Sequence, residues 1–299
     1  MNAIEIKNLT KNFGEKQALA GLNMTVPAGS IYGFIGENGS GKSTTEKIIC
    51  GLIHKTSGDV LLYGKPHTDP DVRASVGVLI ESPGCFPGLT VWNNLMIQAT
   101  NLGIENKADA VRKVLTLVRM EGSAGNKFKN CSLGMKQRIG IAMALLGSPK
   151  LLVLDEPING LDADGMRIMR EILIDIAKTG ATVLISSHIL GELEKIATHY
   201  GIIRQGKMVM ELSAKEMENR ARVFTSLKTA DMQGALKVLK EKYASVRMEE
   251  EYIRVYDVDN TEEIVEHLIK KGFVVNEIQK NKIGLEEYYI EIMSRKENE

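Results

Sequence analysis

Cysteine, aromatic residues and any imbalance of charge are all scarce in this chain. Its 299 residues include three cysteines, Cys50, Cys85 and Cys131, far apart and without a CxxC pair. So sparse and odd a set excludes a disulfide framework and a zinc ribbon, and it fits a reducing compartment. The five histidines, His54, His67, His188, His199 and His267, include no close metal-type pair backed by cysteines. Lys+Arg and Asp+Glu both number 38, so the formal net charge is zero. A protein that holds nucleic acid ordinarily carries a basic surplus to neutralise phosphates, so no nucleic-acid partner is expected. Long apolar runs are missing too. Ile139 to Leu146 is one of the longer ones, far short of the roughly 20 residues of a membrane-spanning helix. The N-terminus, MNAIEIKNLTKNFG, alternates apolar and polar residues and lacks the apolar core of a signal peptide. The chain is therefore expected in the cytoplasm, with any membrane role supplied by a partner.

What is present is an alternation of strands and helices. Ile4 to Leu9 and Gly21 to Val26 read as strands, and IYGFI, Ile31 to Ile35, as a buried one. A helix over Thr44 to Cys50 follows, then strands at Val60 to Tyr63 and Val76 to Ile80. From Thr90 to about Ser148 the pattern is helical, with Lys107 to Met120 amphipathic. LLVLD, Leu151 to Asp155, and ATVLISS, Ala181 to Ser187, are further buried strands, and Met166 to Lys178 and Ile189 to Ala197 read as helices. Such alternation implies an α/β domain with a parallel sheet covered on both faces. Past about Arg220 the pattern changes to strand (Val223 to Lys228), helix (Met232 to Tyr243), strand (Ser245 to Glu249), strand (Tyr252 to Tyr256), helix (Glu262 to Lys271) and strand (Phe273 to Ile278). A last helix covers Leu285 to Met293. This is the β-α-β-β-α-β order of a ferredoxin-like domain. The expected division is thus 1–220, with a helical subdomain at about 90–148, and an accessory α+β domain at 221–299.

Gly36-Glu37-Asn38-Gly39-Ser40-Gly41-Lys42-Ser43, followed by Thr44, matches G-x-x-x-x-G-K-[ST] with a buried strand before it and a helix after it. The glycines let successive backbone N–H groups turn inward at phosphate oxygens, and the helix N-terminus adds partial positive charge there. Lys42 is then placed for the β- and γ-phosphates and the Ser43 hydroxyl for Mg²⁺. A glycine-rich turn with a surface lysine would not need that flanking strand and helix. The loop identifies an NTPase without naming the base. Asn106-Lys107-Ala108-Asp109 matches the guanine-reading NKxD motif, yet it follows a helix instead of a buried strand, and Asp162 to Gly165, the obvious DxxG, comes after it. NKAD is therefore an ordinary loop and helix start, with Asn106 as its cap.

Leu151 to Glu156 is an apolar strand ending in two acids. Asp155 at the strand end is placed to hold Mg²⁺ through its water shell, and Glu156 to polarise the water that attacks the γ-phosphate. Merely solvated loop acids would not need the Pro157 stop and the Gly160-Leu161-Asp162 turn that follow. Between the phosphate loop and this strand, Cys131-Ser132-Leu133-Gly134-Met135-Lys136-Gln137-Arg138 precedes a long apolar helix. Here the sequence resembles the ABC ATPase family, whose signature is LSGGQ followed by a basic-Gln-Arg run. The resemblance covers roughly residues 3–212, with the family's elements in order. It implies a P-loop ABC ATPase fold with a parallel-sheet core, an antiparallel β subdomain and a helical subdomain. It implies that Phe13 stacks on adenine and that His188, after Ser187, contacts the γ-phosphate. It also implies that Ser132 and Gly134 of one copy complete the ATP site of another. A head-to-tail homodimer around two ATP is the expected assembly, driving separate transmembrane permease subunits. Leu133 and Met135 depart from the family's signature.

A further departure is Glu81, where the family places a glutamine that ligates Mg²⁺ and contacts the membrane partner. A carboxylate there would add negative charge beside Mg²⁺ and the attacking water. Glu81 together with SLGMKQR, and the continuation Leu89 to Leu95, resembles the ATPases of lantibiotic-immunity and bacitracin-resistance transporters. That branch implies export or expulsion of an antimicrobial peptide. The loop Ser82 to Trp92, with Phe86 exposed, is expected to dock the membrane subunit's coupling helix. A soluble ABC ATPase of translation or DNA repair is the alternative class. It is disfavoured because the chain has one cassette and neither a coiled-coil insertion nor a zinc module. A non-catalytic regulator, disabled by Glu81, is disfavoured by the presence of Glu156 and His188.

Overall fold

The computed structural model describes residues 1–295 except Ala221, Glu250 and Asp259. Two units emerge, Met1–Lys215 and Glu216–Glu299. The first opens with β1 (Asn2–Phe13) and β2 (Lys16–Pro27), antiparallel from Asn2↔Pro27 to Phe13↔Lys16. These strands run past the expected ones at both ends, because the polar tips stay paired where the apolar alternation has stopped. β3 (Ile31–Ile35) is buried along its whole length, as a strand covered on both faces must be. It feeds the phosphate loop and α1 (Lys42–Ile49). β4 (Ser57–Leu62) returns to pair with β1, and β5 (Lys65–Pro66) completes an antiparallel sheet in the order β2-β1-β4-β5. α2 (Pro70–Ala74), capped by Asp69, leads to β6 (Val76–Leu79).

α3 (Val91–Asn101), α4 (Lys107–Leu117) and α5 (Leu133–Leu145) make the helical region. Thr90 caps α3 by accepting the Asn93 N–H at 3.1 Å. At Asn106 the start of α4 has no side-chain cap; the capping role expected of that residue is absent, its backbone sitting at ψ 61 instead of extended. β7 (Leu151–Asp155), α6 (Ala163–Lys178), β8 (Thr182–Ser187), α7 (Leu190–Leu193), β9 (His199–Arg204) and β10 (Lys207–Ser213) complete the unit. Their sheet runs β10-β9-β3-β8-β7-β6, parallel throughout except for β10. The helix expected over Ile189 to Ala197 shrinks to the single turn of α7, since Ile196 and Ala197 are drawn into the core on the way to β9. β9 and β10 have no counterpart in the sequence reading. They are joined by a two-residue turn with both Gln205 and Gly206 at positive φ, a turn type that suits a twisted hairpin. The order brings the carboxyl ends of β3, β8 and β7 side by side, with Ile35 opposite Ser187 and Asp155 opposite Ser186.

α8 (Ala214–Arg220) stands at the boundary between the units. The second unit has β11 (Val223–Thr229), α9 (Met232–Lys242), β12 (Val246–Glu249), β13 (Tyr252–Tyr256), α10 (Thr261–Lys270) and β14 (Val275–Lys282), then α11 (Leu285–Arg295). The sheet order β12-β13-β11-β14 is antiparallel throughout, the split β-α-β arrangement. Leu227, Leu239, Ile253, Val255, Ile264 and Leu268 form its core. α11 meets the face that bears Arg254, whose guanidinium donates to Glu287 at 2.6 Å. β14 lies later in the sequence than expected because its edge position leaves the mostly polar stretch 277–282 largely exposed yet still paired to β11.

Candidate functional site

The turn between β3 and α1 cannot carry side chains at its two ends. A Cβ on Gly36 would sit 2.5 Å from the Ile203 carbonyl oxygen and 2.6 Å from Ser40 Oγ. Gly41, at φ 114, would strike Leu19 at 2.7 Å. The loop so formed exposes Glu37, Asn38 and Gly39 and buries Ser40 and Lys42. α1 starts without a side-chain cap and without an acid in its first turn, so its N–H groups and the positive end of its dipole are open to an anion. Lys42 Nζ donates to the carbonyls of Gly36 at 2.6 Å and Glu37 at 3.2 Å. The Ser40 hydroxyl is buried with no hydrogen-bond partner among the described residues. An orphaned donor inside a bare helix start fits phosphate oxygens.

A cavity of about 700 Å³ opens over this loop. Phe13 at the end of β1 is among its lining residues, half exposed, with Lys11 Nζ 4.6 Å from its ring centre. Lys42, Ser43, Thr44, Asp155 and Glu156 line it as well. Lys16, Gln17 and Gln205 also reach the cavity; they were not singled out in the sequence, where the β1–β2 and β9–β10 turns carry no chemistry of their own. Ser186 Oγ donates to Asp155 Oδ1 at 2.8 Å and accepts the Glu156 N–H at 3.2 Å, which fixes both acids to the end of β8. Glu156 takes φ 49, an unusual conformation for a non-glycine residue. It turns the side chain toward His188, whose Nδ1 lies 2.9 Å from Glu156 Oε2. Among the described residues no group of three or more His, Cys, Asp or Glu could hold a metal unaided. Ser43 and Asp155 offer two hard oxygen donors, a set that would suit Mg²⁺ shared with nucleotide phosphates.

Three residues tied to this chemistry stand apart from the cavity. Ser132 and Gly134 line a second cavity of about 320 Å³ with Gly160, Leu161 and Asp162. There Ser132 caps α5, its hydroxyl accepting the Met135 N–H at 3.3 Å. Glu81, at φ 66, does not line the phosphate cavity. It pairs with Lys47 at 2.7 Å, and that ammonium holds its carboxyl below the usual carboxylate range. Glu46 of α1, by contrast, was missed in the sequence and is fully buried. Burial, and next the charge of Asp155, push its carboxyl well above the usual range. The one signal that could have found it is spacing: Glu46 lies three and four residues before the apolar Ile49 and Cys50, on the same side of the helix.

Residues 19–159 match the family model described as ABC transporter. The bacitracin transport ATP-binding protein BcrA of Enterococcus faecalis is 36% identical over 296 residues, 97% of this chain and 96% of that protein. The lantibiotic transport ATP-binding protein SrtF of Streptococcus pyogenes is 40% identical over 223 residues, 75% of this chain and 96% of that protein. Among solved structures, cbiO1 from Clostridium perfringens, part of the ABC transporter complex cbiONQ, superposes with a TM-score of 0.67. It is 26% identical, and the match covers 73% of this chain and 91% of that one.

Proposed function

The chain belongs to the ATP-binding proteins of ABC transporters, and from that premise we propose a motor that closes head-to-tail as a dimer around two ATP. One observation carries this reading: the cradle at Lys42 and the signature at Ser132 lie in different cavities of one chain. A site that needs both must draw them from two copies. Gly36, Gly39, Ser40, Gly41, Lys42 and Thr44 would bind the phosphates of one copy's ATP, with Glu37 and Asn38 shaping the loop and Phe13 stacking on adenine. Ser132 and Gly134 of the mate would close over the γ-phosphate. Ser43 and Asp155 would hold Mg²⁺, which when bound offsets charge on the β- and γ-phosphates. Glu156 takes the proton of the attacking water at the carboxylate oxygen that His188 leaves free, and His188 Nδ1 keeps that carboxylate oriented.

The membrane partner is a transmembrane permease subunit, and the surface that suits it surrounds Phe86. A groove of about 340 Å³ is lined by Leu52, Val78, Ile80, Pro83, Leu102 and Met143. Beside it Phe86 is 57% exposed. The buried Asn94 side chain clamps its backbone, accepting from Phe86 N–H at 2.7 Å and donating to Phe86 O at 3.2 Å. No helix among the described residues is long and apolar enough to cross a membrane, so the chain would sit at the inner face of the membrane through that partner. The cargo is an antimicrobial peptide of bacitracin or lantibiotic type, supported by the end-to-end match to a bacitracin transport protein. Coexpression with its permease in a sensitive host tests this. The expected result is a raised inhibitory concentration for bacitracin or a lantibiotic, lost in Phe86→Ala together with permease co-purification. Unchanged inhibitory concentrations for both peptide classes would remove the cargo. Intact co-purification of Phe86→Ala would remove the docking surface.

A further inference from the structure

α1 buries a carboxyl that has no hydrogen-bond partner among the described residues. The inner face of the helix presents Lys42, Thr45, Glu46, Ile48 and Ile49. Glu46 is 0% exposed, and neither of its carboxylate oxygens has a hydrogen-bond partner among the described residues. Thr45, next to it, has its hydroxyl satisfied by Gly41 O at 2.9 Å. The cation that acts on it is Lys42, one turn earlier, and its ammonium is given to Gly36 O and Glu37 O. The other groups that act on Glu46 are Asp155 and Glu156, both acids, and Ser186, whose hydroxyl proton is given to Asp155. An apolar side chain would fill this position at much lower cost than an unpaired acid. Violations of that kind concentrate where function demands them.

The surroundings are the wrong sign for Glu46 and the right sign for a dication at Asp155. We propose that Glu46 is a positioning residue for the divalent cation of the ATP site, a buried carboxyl behind Asp155 that raises affinity for nucleotide with Mg²⁺ over nucleotide alone. This rests on the reading of Ser43 and Asp155 as the holders of Mg²⁺. The cation's charge acts on Glu46 through a water-poor interior, where electrostatic interactions are weakly screened. Groups outside the direct ligand set commonly tune metal affinity in this way. Glu46 thus burdens the fold and is offset when the cation binds.

The test uses the full chain and the fluorescent nucleotide MANT-ADP, titrated with MgCl₂ and, separately, in EDTA. Glu46→Met and Glu46→Gln are compared with wild type. Both variants are expected to need about tenfold more Mg²⁺ for half-maximal nucleotide retention, with affinity in EDTA unchanged. Glu46→Met is also expected to melt higher than wild type in EDTA. An unchanged Mg²⁺ midpoint in folded Glu46→Met overturns the proposal, as does equal loss of binding with and without Mg²⁺, which marks a purely structural role. Glu46→Gln keeps the shape of the side chain and carries the same test if the Met variant does not fold. A wild-type midpoint in Glu46→Gln also overturns it, since the charge would then be irrelevant. If wild type itself shows no Mg²⁺ dependence, it is the reading of Ser43 and Asp155 that fails.

Discussion

Two helix N-termini in the first unit face two different cavities, and they differ in how they are finished. α1 begins at a glycine with no side-chain cap, and the buried hydroxyl of Ser40 beside it has no partner among the described residues. α5 begins at Ser132, which caps its own helix by accepting the Met135 N–H. The first end is incomplete without a ligand. The second is satisfied by its own chain, and its Ser132 hydroxyl, which accepts the Met135 N–H, still has its own proton to donate. This contrast suggests a division of labour: one end binds nucleotide tightly in a single chain, and the other joins only when a second chain arrives.

The largest expected effect strikes the incomplete end. Lys42→Ala removes the cation of the cradle and should weaken ATP binding by about 100-fold or more, since a charge-assisted contact to phosphate is among the stronger ones; retained MANT-ATP affinity would erase the contrast. Glu156→Gln should lower turnover by about 10²–10⁴-fold, the usual contribution of a general base, while ATP still binds and a dimer accumulates on gel filtration. An unchanged rate of phosphate release would move the base elsewhere. Ser132→Ala should leave MANT-ADP binding intact and depress turnover, and it should lower folding stability by about 1 kcal/mol for the lost cap. Mixing Lys42→Ala chains with Ser132→Ala chains sharpens the comparison further. The mixed dimer holds one intact composite site, so activity should return; two inactive pools that stay inactive when mixed would argue that each chain works alone. The smallest effect is expected from Glu81→Gln. It breaks an exposed pair with Lys47, a kind of contact that contributes little, so the melting temperature should stay the same, and a shift in coupled ATPase would show that Glu81 leaves Lys47 during the cycle.

Much of the site was legible before the fold. The phosphate loop is contiguous, and its chemistry comes from backbone geometry that glycine spacing dictates. Asp155 and Glu156 could be read because a buried strand ending in acids places them at a sheet edge. Glu81 was legible as an unusual acid but not in its direction: its φ and its pairing with Lys47 of α1 depend on how the loop after β6 returns to that helix. The β9–β10 hairpin escaped notice because its apolar run is short and its turn, Gln205-Gly206, is weakly marked.

What the sequence determined by itself was therefore local: the cradle at residues 36–44, the paired acids, the signature at Ser132, and the change of pattern near residue 220. Each depends on neighbours within a few residues, where spacing alone sets geometry. Tertiary structure decided what lies beside what. Sheet order sets Ser186 against Asp155 and brings His188 to Glu156. Packing of α1 against that sheet buries Glu46 beside them, with no hydrogen-bond partner among the described residues. Ser186 and Asp155 are 31 positions apart, His188 and Glu156 are 32 apart, and Glu46 is more than a hundred from Asp155. No spacing rule reaches that far, because such neighbours are chosen by the packing of the whole sheet.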